Sequence, residues 1–400
     1  MMTPDRTPLR GPTVPQGRER WRMGLEARAL VVLTATLLAF GLASLYSASA
    51  IVAMQEGRGS AYYLLRQISG VLAGAVGFAV LAKVDAERWQ RWAWPLMLLS
   101  LGLMLLTVLP FTESIAPRIN GSRRFLIGSS LQPSELAKLA VIVWTAMLVV
   151  KKGEQMRRLT KGLFPFLVVI GLLALLAVLE PDLSAAMLFL LVMSVILFSG
   201  GVRIGHFVAL GVMGIPVLWH EVERLQYTLL RMTSFFDPGK APQEVSYQLT
   251  QSLIAVGSGG WLGVGFGEGR QQYGFLPLAF NDFVGSNIGE EWGFVGLVVV
   301  VLAYALYAWL GFRIAQQART PFLRLVAVGL TFTMIVTAYL HIGVVIGLLP
   351  TTGLTLPFIS YGRSNLVLSL AMTGLLANIG STRERVIGER ATDPTLITVQ

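Results

Sequence analysis

The stretch GFLPLAFNDFVGSNIGEEWGFVG, residues 274–296, sets three carboxylates, Asp282, Glu290 and Glu291, at the lip of a long apolar run. A carboxylate beside or inside hydrocarbon costs about 2.5 to 3.5 kcal/mol on insertion scales, so it is kept for function or for pairing. Other charged groups stand in comparable places. Arg123 and Arg124 are adjacent, and guanidinium forks match phosphate oxygens bidentately. Lys138 falls inside the following apolar helix, with Ser134 and Glu135 four and three residues before it, so the three share one helical face. That face reads as an internal ion pair, and the same pair facing a cavity could place a proton or a phosphate. Glu180, Pro181 and Asp182 form a tight turn whose acids either cap the next helix or line the outer end of a cavity. Glu290 and Glu291 likewise either put favourable charge at a helix N-terminus or line that cavity. LPTTGLTLPFISYGRSN, residues 349–365, reads as a broken re-entrant segment, with Ser360, Tyr361 and Arg363 on the cavity wall.

The chain that must position these groups is 400 residues long, 54% hydrophobic and only 14% charged, with a mean hydropathy of +0.65. Soluble domains carry roughly a quarter charged residues. This is an integral membrane protein. Without cysteine there is no disulfide or thiolate metal site, and three histidines at 206, 220 and 341 leave little for a zinc centre. The net charge of +10 sits mostly in short segments between helices, as membrane orientation requires, so nucleic acid is not the expected partner.

Apolar runs place ten spans at 27–49, 65–82, 91–110, 133–150, 163–180, 183–200, 204–220, 287–312, 322–346 and 361–380. The expected fold is an all-α polytopic membrane protein. With a cytoplasmic N-terminus, the inward connections KVDAERWQR, KKGEQMRRLTK, GGVR, RIAQQARTPFLR and STRERVIGER all carry Lys or Arg. Both termini are then cytoplasmic. Arg118, Arg123, Arg124, Arg224, Arg231, Lys240 and Arg270 fall in outward connections, and such exceptions invite a ligand. Residues 1–26 and 383–400 read as cytoplasmic tails, the first disordered, around a membrane domain at 27–382. The long connection 221–286, between spans seven and eight, reads as interfacial helices followed by a glycine-rich re-entrant turn. Seven glycines lie between 257 and 269. They match no P-loop, and close packing is their plainer use.

NGSRRFLIGSSLQPSELAKLA at 120–140, EPDLSAAMLF at 180–189, FLPLAFNDFVGSNIGEEWGFVG at 275–296 and IGVVIGLLPTTGLTLPFISYG at 342–362 resemble, in that order, the signature segments of the SEDS (shape, elongation, division and sporulation) family. The resemblance runs over about residues 30–382. It implies a ten-span enzyme of the bacterial cytoplasmic membrane that polymerises lipid II on the outer face, working beside a single-span class B penicillin-binding transpeptidase and divisome proteins. The family's essential aspartate falls on Asp282. Departures stand at Phe280 and Asn281, where a histidine and threonine are usual, at Gln271 and Gln272, where a lysine is frequent, and at Glu180, His341 and Arg363.

In the implied reaction a sugar 4-hydroxyl attacks the anomeric carbon of the growing glycan strand and expels undecaprenyl diphosphate. Asp282 is the expected base. Arg123, Arg124, Lys138, Glu135 and Ser134 form the expected diphosphate-binding group, while Asp182, Glu290, Glu291, Ser360, Tyr361 and Arg363 line the cavity. A divalent cation, Mg2+ or Mn2+, could bridge Asp282 and the diphosphate. A lipid II flippase would need charged groups in the cytoplasmic half, whereas those visible cluster at the outer boundary. A non-catalytic scaffold is the third reading. The two tails resemble the division branch more than the elongation branch.

Overall fold

The computed structural model describes residues 18–113, 116–117, 123–126, 131–157, 162–203, 205, 235, 243–277 and 279–386. Nine of the ten expected spans are helices there: α1 Leu25–Gln55, α2 Tyr62–Lys83, α3 Trp89–Val108, α4 Pro133–Lys152, α5 Phe164–Leu179 and α6 Leu183–Ser199, then α8 Val284–Gln316, α9 Pro321–Val345 and α10 Arg363–Ile379. An additional helix, α7 Gln243–Ser258, precedes α8. The seventh span at 204–220, residues 221–234 and 236–242 of the long connection, and Arg118, Arg224, Arg231 and Lys240 lie outside the described residues. The all-α polytopic membrane architecture stands.

Helix α4 is buried on nearly every face and α9 on most of its surface, whereas α1, α2, α3 and α8 turn most of theirs outward. Apolar side chains all round are what a helix needs at the centre of a membrane bundle. Consecutive α2 and α3 separate: α2 packs along α10 and α3 along α4. Small residues allow the α2–α10 approach, since a Cβ on Gly374 would lie 2.5 Å from the Phe78 carbonyl oxygen.

Helix α8 breaks at Gly293, whose φ of 64° and ψ of −161° are not helical. Residues 294–316 beyond the break span about 34 Å at 1.5 Å per residue, close to a hydrocarbon core. Glu290 and Glu291 therefore stand before the membrane span, at the end of a short helical segment and not at its N-terminus. The glycine-rich segment seals this break. Phe294 N donates to Gly260 O (2.9 Å), Val295 N to Trp261 O (3.1 Å), Val264 N to Glu290 O (3.0 Å) and Gly265 N to Glu291 O (3.1 Å). Gly263, at φ +82°, has no room for a side chain, because a Cβ would lie 2.1 Å from Glu291 O. Close packing is what Gly259, Gly263 and Gly269 serve, whereas a Cβ on Gly257, Gly260 or Gly267 would meet nothing within 4 Å.

The segment between α9 and α10 dips into the bundle as a re-entrant stretch. Leu356, Phe358 and Ile359 are buried, and the Tyr304 hydroxyl donates to Pro357 O from a point about 16 Å past the Gly293 break. At the opposite end, Arg18–Met23 (β1) pairs antiparallel with Ser381–Val386 (β2), from Arg18 with Val386 to Met23 with Ser381. This corrects the sequence boundaries, which assigned 18–23 to an unstructured tail and ended the folded domain at 382. Backbone pairing requires no buried apolar face, so hydropathy gave no sign of it.

Candidate active site

A cavity of about 260 Å³ opens where Arg124, Ser134, Glu135, Lys138, Asp182, Asp282, Tyr361 and Arg363 meet, joined by Gln132, Asn281, Thr337 and Asn365. Eight of the twelve residues expected from sequence thus share one space. Six of the eight come from helix starts: Ser134, Glu135 and Lys138 from α4, Asp182 from the cap of α6, Asp282 from the turn just before α8, and Arg363 from the first position of α10. Unsatisfied amides make a helix N-terminus electropositive, so four of them converging favour an anion.

The side chains divide the work. Lys138 Nζ donates to Glu135 Oε1 at 2.7 Å, and both are buried, so the internal ion pair and the cavity-facing reading hold together. Asp182 Oδ1 accepts from Ala185 N at 3.0 Å, capping α6 while it lines the cavity. Asp282 does not cap α8, whose N-cap is Phe283 with no side-chain bond. Its carboxylate lies beside the loop of the re-entrant segment, 3.6 Å from where a Cβ on Gly353 would stand. Arg124 Nε, Ser134 Oγ and Asn281 Oδ1 are buried without a protein partner. Buried polar atoms are nearly always satisfied, so orphaned donors and acceptors around a cavity mark places for substrate oxygens, hydroxyls or water.

Four expected residues stand elsewhere. Arg123 forms an ion pair with Glu113 and its Nη1 donates to Leu109 O at 3.3 Å, so the adjacent arginines split and only Arg124 reaches the cavity. Ser360 Oγ accepts from Leu356 N at 2.8 Å and holds its own turn. Glu290 accepts from Arg270 N (2.9 Å) and Gln271 N (3.1 Å), and Glu291 from Ser47 Oγ. They clamp the glycine-rich loop and α1 to α8. Hydropathy marks such acids as anomalous but does not say whether their partner is a ligand or a loop.

The Glu180 carboxyl, in the turn between α5 and α6, accepts from Thr107 Oγ1. Burial pushes it up to about 8, with Asp182 adding to the shift and Thr107 and Arg124 opposing it. His341 is a strut: its Nδ1 lies 2.7 Å from Leu354 O and its Nε2 accepts from Gly285 N at 3.3 Å. That pairing places the ring proton on Nδ1 and ties the re-entrant segment to the start of α8. Gln132, Thr337 and Asn365 were missed from sequence because uncharged polar residues inside apolar runs carry no topological signal. Arg58 and Arg66 were missed although both stand near the turn between α1 and α2.

Comparison with known proteins follows this geometry. The family described as "Cell cycle protein", which joins FtsW, RodA and SpoVE, matches residues 28–385. A protein of Trichlorobacter lovleyi named "Probable peptidoglycan glycosyltransferase FtsW" is 36% identical over 366 residues, 91% of this chain and 95% of its own. Stage V sporulation protein E of Bacillus subtilis is 35% identical over 352 residues, 88% of this chain and 95% of its own. Among solved structures, a chain from a peptidoglycan synthase complex that coordinates polymerization and crosslinking is similar at a TM-score of 0.73 and 28% identity, covering 88% of this chain and 97% of that one. The rod shape determining protein RodA of Thermus thermophilus is similar at 0.64 and 26% identity, covering 88% and 95%.

Proposed function

The chain belongs to the cell cycle protein family of FtsW, RodA and SpoVE, and from that premise and the cavity's chemistry we propose that it is a peptidoglycan glycosyltransferase that polymerises lipid II. The observation that carries the reading is the Asp282 carboxylate, not taken up by the Lys138 pair as Glu135 is or by a helix cap as Asp182 is, sharing a cavity with Arg124, Lys138 and Arg363 at four helix N-termini. The attacking 4-hydroxyl gives its proton to Asp282 as its oxygen bonds the anomeric carbon. The bond from that carbon to the diphosphate oxygen breaks, and the electron pair leaves with undecaprenyl diphosphate. Such a group departs as an anion and needs charge stabilisation instead of a proton donor. Arg124, Lys138 and Arg363 supply it, with Ser134 Oγ as a further donor.

The cavity end faces outward in this reading, with both termini in the cytoplasm. Lys83, Arg88, Lys151, Lys152, Arg319 and Arg324 gather at the opposite end, as the positive-inside bias requires. Oxygen donors on the cavity wall suit Mg2+ or Mn2+. Among the described residues no three acidic or histidine groups converge to hold a metal, so such an ion would take Asp282 and substrate oxygens as ligands and supply charge neutralisation. The relatives named FtsW favour the division branch and septal synthesis. The likeness to a chain of a complex that also crosslinks supports a single-span class B penicillin-binding transpeptidase as partner.

Purified protein supplied with labelled lipid II tests the reading directly. Glycan strands should form, and Asp282→Asn should slow them by at least about 10²-fold, the lower end of a general base's contribution. A variant within threefold of the parent removes Asp282 from the chemistry.

A further inference from the structure

The turn between α1 and α2 and the start of α2 carry two cations that the mechanism above does not use, Arg58 and Arg66. The guanidinium carbon of Arg58 lies 4.3 Å from the centre of the Tyr62 ring, and that of Arg66 lies 5.5 Å from the same ring. Arg66 Nη1 also donates to the Tyr62 hydroxyl at 2.9 Å. One tyrosine therefore holds two guanidinium groups. Among the described residues one carboxylate offsets them: Glu56, 3.4 Å from Arg58 Nε, which also accepts from the Tyr63 hydroxyl at 2.8 Å. Arg58 is 43% exposed and Glu56 39%, so the cluster opens outward. Two like charges held together with one counter-charge favour the arrival of an anion, and guanidinium forks favour phosphate oxygens.

The cluster is joined to the active site. Tyr63 lies 4.6 Å from Phe280 and 5.4 Å from Tyr361, ring centre to ring centre. Gln67, next to Arg66, donates to Ser360 O at 3.1 Å and accepts from Gly362 N at 3.2 Å. The segments that carry Asp282 and Arg363 are thus fastened to the turn of α2 that carries Arg66.

We propose that Arg58 and Arg66, held on Tyr62, form a second diphosphate site, divided from the cations of the cavity by the aromatic wall of Tyr63, Phe280 and Tyr361. The proposal rests on the glycosyl-transfer reading, because both reactants carry a lipid diphosphate. The cavity cations serve the diphosphate that leaves. Arg58 and Arg66 take the one that remains on the accepting unit and place its sugar hydroxyl toward Asp282.

Binding of farnesyl diphosphate and of inorganic pyrophosphate to the purified full chain, read as stoichiometry in detergent, tests it without turnover. The parent should bind two equivalents of farnesyl diphosphate. The Arg58→Gln/Arg66→Gln variant should bind one at parent affinity and the other at least about tenfold more weakly. Arg124→Gln should weaken the other equivalent. Tighter binding of the farnesyl compound than of pyrophosphate at the Arg58–Arg66 site supports a lipid-linked occupant, and equal affinity overturns that assignment. In turnover, KM for lipid II should rise about tenfold with kcat held within about threefold. One equivalent in the parent, or two at parent affinity in the double variant, overturns the site. Where the double variant is not recovered folded, Arg58→Gln and Arg66→Gln singly take its place under the same criteria. A parent that binds two equivalents yet makes no glycan overturns the transferase reading and not the site.

Discussion

Lys138 and Glu135 pair inside the bundle at 2.7 Å, and the cost of disturbing them depends on how it is done. Removing one partner of a buried pair costs about 3–5 kcal/mol, while replacing both costs little. Lys138→Met should therefore lower the thermal midpoint sharply, and Glu135→Gln/Lys138→Met should restore it. Turnover should stay low in both, because the double variant still lacks the ammonium proposed to meet the diphosphate. Recovery of stability and activity together would make Lys138 a structural ion alone. Glu180 gives a pH test. Its folded pKa of about 8 lies above the ordinary carboxyl value of 4.5, so its contribution to stability is full below about pH 4.5 and is lost as pH rises through 8. Glu180→Gln keeps the polar contact with Thr107 and cannot ionise. Its thermal midpoint should match the parent near pH 5 and exceed it increasingly toward pH 8; parallel curves would exclude this group as the cause.

At the scale of elements, nine spans were legible because apolar runs near the length of a bilayer crossing announce themselves. The break in α8 was not. Hydropathy runs smoothly through Trp292, Gly293 and Phe294, and only the backbone shows that the loop at 259–265 completes the hydrogen bonds there. The same blindness put Glu290 and Glu291 on the cavity, when they clamp that loop, and left α7 unplaced within the long connection. Asp182, Asp282 and Arg363 were legible because charge at a span's edge is anomalous whatever its partner. The loop yields a prediction through two glycines of like backbone. Gly263 and Gly267 both have positive φ, +82° and +79°, but a Cβ would strike Glu291 O at 2.1 Å in the first and meet nothing within 4 Å in the second. Gly267→Ala should cost about 1 kcal/mol, the penalty of a left-handed residue. Gly263→Ala should cost about 2–3 kcal/mol more, as the loop is pushed from the break. Equal melting shifts for the two would show that the loop does not rest on α8 in the membrane.

For the whole molecule, the helices divide into an enclosed set and a set facing lipid, and α8 belongs to both. Its buried side carries Tyr304 and Tyr307, whose hydroxyls reach Pro357 O and Thr373 Oγ1, the second at 3.0 Å. Beyond the break its outer side exposes Val295, Val299, Leu302, Leu306 and Trp309, spaced alternately four and three residues apart, the stripe that a second helix needs for continuous packing. The small residues of this stretch, Gly293 and Gly296, offer no alternative contact. Gly293 is taken up by the loop, and a Cβ on Gly296 would strike Trp292 Cβ at 2.2 Å, so neither offers a free small surface. In lipid, helix association depends on van der Waals fit, and a bulkier side chain in the middle of the stripe should spoil it. We predict that Leu302→Trp lowers co-purification of the proposed single-span transpeptidase at least about fivefold, equivalent to about 1 kcal/mol, while polymerisation by the isolated protein stays at the parent level. Leu72→Trp, on the exposed face of α2, should leave both unchanged. Loss of the partner with the α2 variant and not with the α8 variant would move the docking surface to the opposite flank, where α2 and α3 part.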